Sequence, residues 1–138
     1  MEWTTDNSIF VPVLDDEHKG MFEALEALRQ LMIDGRFTGD ALKAMKAVVA
    51  RATSHMTHEE RLMRSSHYSA YDWHKRQHDT MRKRVTAFAG RAEQGDAAAI
   101  TELLDFLRDW LRDHTGLHDR MMGAYLRNFS RAQGRSIS

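Results

Sequence analysis

The sequence contains no cysteine among its 138 residues. This absence excludes disulfides, thiolate zinc sites, iron–sulfur clusters and cysteine nucleophiles. Any bound metal would therefore be held by histidine and carboxylate side chains. Because the chain has eight histidines, their positions are the feature that most needs an explanation.

An excess of charge of one sign is also missing, since 20 Lys and Arg side chains balance 20 Asp and Glu side chains. No long basic run is present, so we expect neither nucleic acid nor an anionic membrane as a partner. No stretch approaches the roughly 18 consecutive apolar residues of a membrane span, and MEWTTDNSIF does not resemble a signal peptide. We therefore expect a soluble, cytoplasmic protein with a single domain over residues 1–138.

Proline is nearly absent, and the one proline, Pro12, precedes four apolar stripes with helical spacing. The stripes run over residues 21–32, 42–63, 71–92 and 100–111. Four such helices with short connections predict an all-α, antiparallel, up-down-up-down four-helix bundle. We expect an irregular N-terminal arm over residues 1–14 and a flexible polar tail over about residues 131–138.

Capping residues predict where these helices begin and end. Asp15 or Asp16 is expected to cap the first helix, and Gly35 to end it. The second helix is expected to start after residues 38–40 and to end near Ser65. The third is expected to close at Gly95, followed by a cap from Asp96 to the fourth helix.

Most of the histidines fall on the apolar stripes or continue a stripe by one turn, and their side chains therefore point into the predicted core. A single inward histidine is more often satisfied by a carbonyl or a carboxylate than by a metal. Five of them together with an inward glutamate, on four helices and without cysteine, favour a metal site instead. The six inward residues are His18, His55, Glu59, His74, His78 and His114. His58 and His67 fall off the stripes, so we predict that they are solvated or support the site from outside.

At these residues the sequence resembles the bacterial hemerythrins, a family of non-haem diiron proteins that bind dioxygen. The motifs that carry the resemblance are Trp3, Asp15-Asp16-Glu17-His18-Lys19, His55-x-x-x-Glu59-Glu60, Met63, Tyr68, His74-x-x-x-His78 and Trp110-Leu111-x-x-His114-x-x-x-x-Asp119. The resemblance implies that His74, His78 and His114 bind one iron, and that His18 and His55 bind the other. It implies that Glu59 and Asp119 bridge two iron ions (Fe2+/Fe3+), together with an oxo or hydroxo bridge.

Asp119 requires a break in helical register, because a residue five positions after His114 lies about 140° away around an α-helix. Gly116 lies between them, so we predict that the fourth helix ends or bulges there. His118, the alternative four positions after His114, would then be turned outward.

Three positions depart from the family pattern: Glu17 is often glutamine, Ser69 is often proline, and Thr115 is usually isoleucine. Only Thr115 is expected to touch the ligand pocket. Its hydroxyl either faces the open iron or bonds back to a carbonyl of its own helix.

The implied ligand set predicts reversible binding rather than turnover. Two octahedral metals need about twelve ligand positions, and the protein ligands with one solvent-derived bridge supply roughly eleven. The open position belongs to the iron held by His18 and His55, where dioxygen is expected to enter for storage, transport or delivery.

Diiron oxidases use about four carboxylates and two histidines, which is the reverse of the ratio in this chain. Zinc fits less well because its structural sites are usually tetrahedral, whereas manganese shares these donor preferences. The alternatives are an enzyme that reduces peroxide or nitric oxide, and an oxygen or redox sensor.

Overall fold

The computed structural model of the protein describes residues 3–35 and 39–138. In these ranges all long elements are helices: α1 Pro12–Ile33, α2 Gly39–Ser65, α3 Tyr71–Glu93, α4 Ala97–His114 and α5 Arg120–Gln133. A π-helical turn, Thr115–Asp119, joins α4 to α5 without a gap, so these two helices form one rod. Helix α1 packs against α2, α2 against α3 and α3 against α4, and α1 also contacts α4. The predicted all-α four-helix bundle is confirmed.

Most of the predicted boundaries are confirmed, because local capping chemistry determines them. Gly35 and Gly95 follow α1 and α3 with φ angles of 72° and 96°, a region in which residues with a Cβ are strained. Asp96 accepts a hydrogen bond from the main-chain N–H of Ala98 at 3.1 Å and caps α4. The second helix ends at Ser65 as expected. Its predicted start after residues 38–40 is wrong, because Gly39 and Asp40 already belong to α2, while Thr38 lies outside the described residues.

The predicted cap of the first helix by Asp15 or Asp16 is wrong. Helix α1 begins earlier, with Pro12 in its first turn, where a missing N–H costs no hydrogen bond. The Asp15 carboxylate instead accepts hydrogen bonds from the Ser8 hydroxyl at 2.6 Å and from the Ile9 N–H at 2.9 Å. Asp15 therefore fastens the N-terminal arm to the bundle.

Two apolar clusters fill the interior. The first includes Met21, Phe22, Met56, Met81 and Leu111, and the second includes Leu14, Met63, Tyr68, Met122 and Leu126. The four rods are α1, α2, α3 and the continuous α4–α5. On each rod, buried polar side chains lie between the residues of the first cluster and those of the second. The buried polar residues thus form a layer between two apolar regions.

The two ends of the chain both contact the second cluster. Ile9 and Val11 of the arm are buried in it, and Ile137, after the end of α5, packs against it. Within residues 3–35 and 39–138, no helix is long and apolar enough to cross a membrane.

Candidate metal centre

Seven side chains with nitrogen or oxygen donor atoms meet in the polar layer, and each is between 0% and 4% exposed. They are His18 on α1, His55 and Glu59 on α2, His74 and His78 on α3, His114 at the end of α4, and Asp119 at the end of the π turn. The structure therefore brings together all seven residues that the sequence analysis predicts as ligands. It divides them into two donor groups, in each of which the donor atoms lie within 4.8 Å of one another.

The first donor group contains three imidazoles and one oxygen from each carboxylate. Glu59 Oε1 lies 3.3 Å from Nε2 of His74 and 3.1 Å from Nε2 of His78. Asp119 Oδ1 lies 3.2 Å from Nε2 of His74 and 3.0 Å from Nε2 of His114. Three nitrogens and two oxygens therefore converge on one point.

The second donor group uses the other oxygen of each carboxylate. Glu59 Oε2 lies 2.9 Å from Nε2 of His55 and 3.5 Å from Nε2 of His18. Asp119 Oδ2 lies 3.2 Å from Nε2 of His18. Both carboxylates thus direct one oxygen to each group.

Hydrogen bonding within the protein leaves several of these donor atoms unsatisfied. His18 Nε2, His78 Nε2, Glu59 Oε2 and Asp119 Oδ1 are buried and lack a hydrogen-bond partner among the described residues. Buried polar atoms without partners are costly, so an arrangement that leaves four of them facing one another is expected to accept a ligand. Mixed imidazole and carboxylate donors at this spacing fit two divalent transition-metal ions.

The charges of the site point to the same requirement. Burial raises the pKa of Glu59, but the positive charge of His55 and hydrogen bonds from imidazoles hold it well below its usual value. Burial and the charge of Glu59 raise the pKa of Asp119, but His114 and His18 outweigh them and hold it well below its usual value. Two carboxylates therefore stay ionised inside the protein, where they need positive charge nearby.

The imidazoles supply that charge when they hold protons. Burial lowers the pKa of His55, but the charge of Glu59 and the hydrogen bond with Glu17 outweigh it and raise the pKa to about 10. For His74, hydrogen bonds with Asp119 and Glu59 overcome the same effect of burial and raise the pKa to about 9. A metal ion can take the place of these protons, since imidazole binds metal in its unprotonated form.

Three of the five imidazoles are held from behind by a hydrogen bond at Nδ1. His55 donates to Glu17 at 2.7 Å, His78 donates to Glu60 at 2.8 Å, and His114 donates to Gln77 at 3.0 Å. An Nδ1–H leaves Nε2 free to bind metal and fixes the direction of the ring.

The sequence analysis gave neither Glu17 nor Glu60 a role in holding an imidazole, and it did not single out Gln77. The available signal was spacing, because Gln77 lies three residues after His74 and so shares its helix face.

The π turn brings Asp119 to the site. Its hydrogen bonds join residue i to residue i+5, so His114 and Asp119 lie nearly one above the other. The predicted bulge near Gly116 is confirmed. His118 is half-buried and lies outside both donor groups.

The remaining residues singled out in the sequence have distinct surroundings. His67 is exposed, whereas His58 is 13% exposed and donates from Nδ1 to the second oxygen of Glu17 at 2.6 Å. Thr115 is buried, and its hydroxyl has no hydrogen-bond partner in residues 3–35 and 39–138. The alternative in which this hydroxyl bonds to a carbonyl of its own helix is therefore wrong.

Comparison with known proteins gives one family over most of the chain. The family described as the hemerythrin HHE cation binding domain matches residues 10–126. The chain is 30% identical to a bacteriohemerythrin of Stenotrophomonas maltophilia (strain R551-3), over 94% of this chain and 86% of the relative. It is 30% identical to a myohemerythrin of Sipunculus nudus, over 81% of this chain and 82% of the relative. It is 26% identical to a bacteriohemerythrin of Methylococcus capsulatus, over 91% of this chain and 96% of the relative.

Proposed function

Because the chain belongs to the hemerythrin family, we propose that its polar layer holds two iron ions and that the protein binds dioxygen there reversibly. The observation that carries this proposal is that Glu59 and Asp119 each place one carboxylate oxygen in the first donor group and the other oxygen in the second. In the proposed centre His74, His78 and His114 hold one iron, and His18 and His55 hold the other. Two iron ions joined by an oxo or hydroxo bridge would together supply the two electrons needed to bind dioxygen reversibly.

The second donor group is the proposed site of dioxygen entry. It has two imidazoles where the first has three, so one more coordination position is free for a ligand. Over the whole centre five imidazoles accompany two carboxylates, and this donor set is less anionic than the four carboxylates of diiron oxidases. The protein's own residues thus favour binding and release over oxidation of a substrate.

The surroundings of the site exclude bulk water. Apolar residues lie one turn away on both sides, for instance Met21 and Leu14 on either side of His18, and all three are at most 3% exposed. A dry, closed site slows the entry of external protons and strengthens the electrostatic contacts within it. Both effects favour the release of dioxygen unchanged. We further propose that residues 1–138 act as one cytoplasmic domain.

A second candidate function is an iron enzyme that reduces peroxide or nitric oxide. The observation in its favour is the polar chain from His55 through Glu17 to His58, which leads from the second donor group toward the surface. Such a chain could carry the protons that a reduction consumes.

One experiment separates these candidates. The iron-loaded, reduced protein is cycled between oxygen and argon while its visible spectrum is recorded. We expect a colour change that reverses over repeated cycles without net consumption of oxygen. Steady consumption of added peroxide or nitric oxide, with no reversible oxygen spectrum, would contradict the proposal and favour the enzyme.

A further inference from the structure

Gln77 forms a hydrogen-bonded link between His114 and His118. Its Oε1 lies 3.0 Å from Nδ1 of His114, and its Nε2 lies 3.3 Å from Nδ1 of His118. Gln77 and His118 are half-buried, at a surface pocket that also exposes part of Trp110. The link therefore runs from a proposed iron ligand to the edge of the protein.

The direction of this link follows from the chemistry of a metal-bound imidazole. If Nε2 of His114 binds metal, its Nδ1 carries the proton and donates to Oε1 of Gln77. The amide nitrogen of Gln77 then donates to His118, which accepts at Nδ1. With this arrangement each of the two contacts joins one donor to one acceptor.

Two further contacts restrict the His114 and His118 rings. Trp110 stacks on His114 with ring centroids 4.0 Å apart and an interplanar angle of 13°. Trp73 meets His118 edge to face, with centroids 4.3 Å apart. Stacking fixes the plane of the His114 ring, and the hydrogen bond to Gln77 fixes its rotation within that plane.

Gln77 also differs in charge from the other groups that hold ligand imidazoles. The acceptors behind His55 and His78 are the carboxylates of Glu17 and Glu60. Glu60 also pairs with Arg82, whose Nη2 lies 2.7 Å from Glu60 Oε2. A charged acceptor bonds more strongly and makes the imidazole a stronger electron donor to metal. His114 has a neutral amide acceptor instead.

We propose that Gln77, itself held by His118, is a positioning residue for His114. It aims Nε2 of His114 into the first donor group and keeps this imidazole a weaker electron donor than His55 and His78. This inference rests on the proposed metal centre.

The test uses cobalt(II) added to the metal-free full-length chain. For the wild-type protein we expect about two cobalt ions per chain, one for each donor group. Gln77→Met removes the acceptor at similar volume, and we expect cobalt affinity at the first group to fall about 10- to 100-fold. In the proton NMR spectrum of the cobalt protein, the His114 Nδ1–H is expected to exchange faster with solvent. This second readout is specific, because a loss of packing alone would not act on one imidazole proton.

Three other variants sharpen the result. Gln77→Glu supplies an acceptor again, so it should restore cobalt binding at the first donor group. Because this acceptor is charged, the reduction potential of the iron-loaded variant should be lower than that of the wild type. His118→Phe should keep both cobalt ions but speed exchange of the same proton by a smaller factor. Gln30→Met is the matched control, because Gln30 is an exposed glutamine whose hydrogen bond is to Asp34 on the surface.

Each outcome has a distinct meaning. Wild-type affinity and an unchanged His114 proton in Gln77→Met would overturn the role of Gln77 while leaving the metal centre intact. If Gln77→Met does not fold, unchanged proton exchange in His118→Phe would overturn it in the same way. A wild-type chain that binds no cobalt or iron would reject the proposed centre itself, and this inference with it.

Discussion

Asp119 lies five residues after His114, yet its Oδ1 is 3.0 Å from Nε2 of His114. On a regular α-helix these side chains would be about 140° apart, and Asp119 would miss the site. The π turn Thr115–Asp119 removes this difference. Access of Asp119 to both donor groups therefore depends on the register of a single turn.

A change of register in this turn should abolish the centre. Insertion of one alanine after Gly116 moves Asp119 six positions from His114, about 240° around a regular α-helix. We expect this variant to lose most of its iron, as measured by iron content after reconstitution.

The matched control for the insertion is Gly116→Ala. Gly116 is not among the glycines with positive φ, and a Cβ there would meet no described heavy atom within 4 Å. This variant should keep its iron. Full iron content in the insertion variant would show that Asp119 is not needed as a bridge.

Loss of a proposed ligand should remove the stabilisation that metal provides. Metal that binds only the folded state adds about 4 kcal/mol at a free concentration 1,000 times Kd. For His78→Ala we expect the melting temperature to rise much less on addition of iron(II) than for the wild type. His67→Ala, which changes an exposed histidine, should respond as the wild type does. Equal rises in His78→Ala and wild type would show that His78 is not a ligand.

Iron content should also be independent of the histidines outside the donor groups. We expect alanine variants of His58, His67 and His118 each to retain the wild-type iron content, since none of them belongs to either group. Measurement of iron in each variant checks this. Loss of iron from His118→Ala but not from His114→Ala would reverse the register given for the π turn.

Thr115 provides a test of the pocket wall. Its buried hydroxyl lacks a partner in the described residues, and Thr115 directly follows the proposed ligand His114 in the chain. Thr115→Val keeps the shape and removes the hydroxyl, so the metal-free protein should be unchanged or up to about 1 kcal/mol more stable. Without the hydroxyl, Thr115 can no longer donate a proton or hold water near the centre. We therefore expect the oxygenated protein of the variant to decay irreversibly to its oxidised form more slowly than the wild type.

The two readouts for Thr115 are urea unfolding and visible absorbance over time, with the exposed Thr101→Val as control. Equal oxidation rates in wild type and Thr115→Val would mean that Thr115 only packs.

Much of the site follows from sequence because its residues lie on regular helices. His18, His55, Glu59, His74, His78 and His114 occupy stripe positions, and helical period alone is enough to turn them inward. Asp119 could not be found in this way, since its position depends on a π turn that the period of an α-helix does not predict. Resemblance to the hemerythrin motif supplied it.

Other features depend on contacts between distant parts of the chain. Asp15 looks like a helix cap in sequence, but Pro12 starts the helix earlier and Ser8 and Ile9 of the arm take the carboxylate. The role of Gln77 depends on the distance from α3 to the end of α4 and to the π turn. The sequence pattern along a single helix does not predict such contacts between distant segments.

The most direct test of the account is the iron content of the purified, reconstituted protein, measured against a quantified chain concentration. Two donor groups that share Glu59 and Asp119 predict about two iron ions per chain. A reproducible value of one iron per chain, at saturating iron, would contradict the bridged two-metal centre.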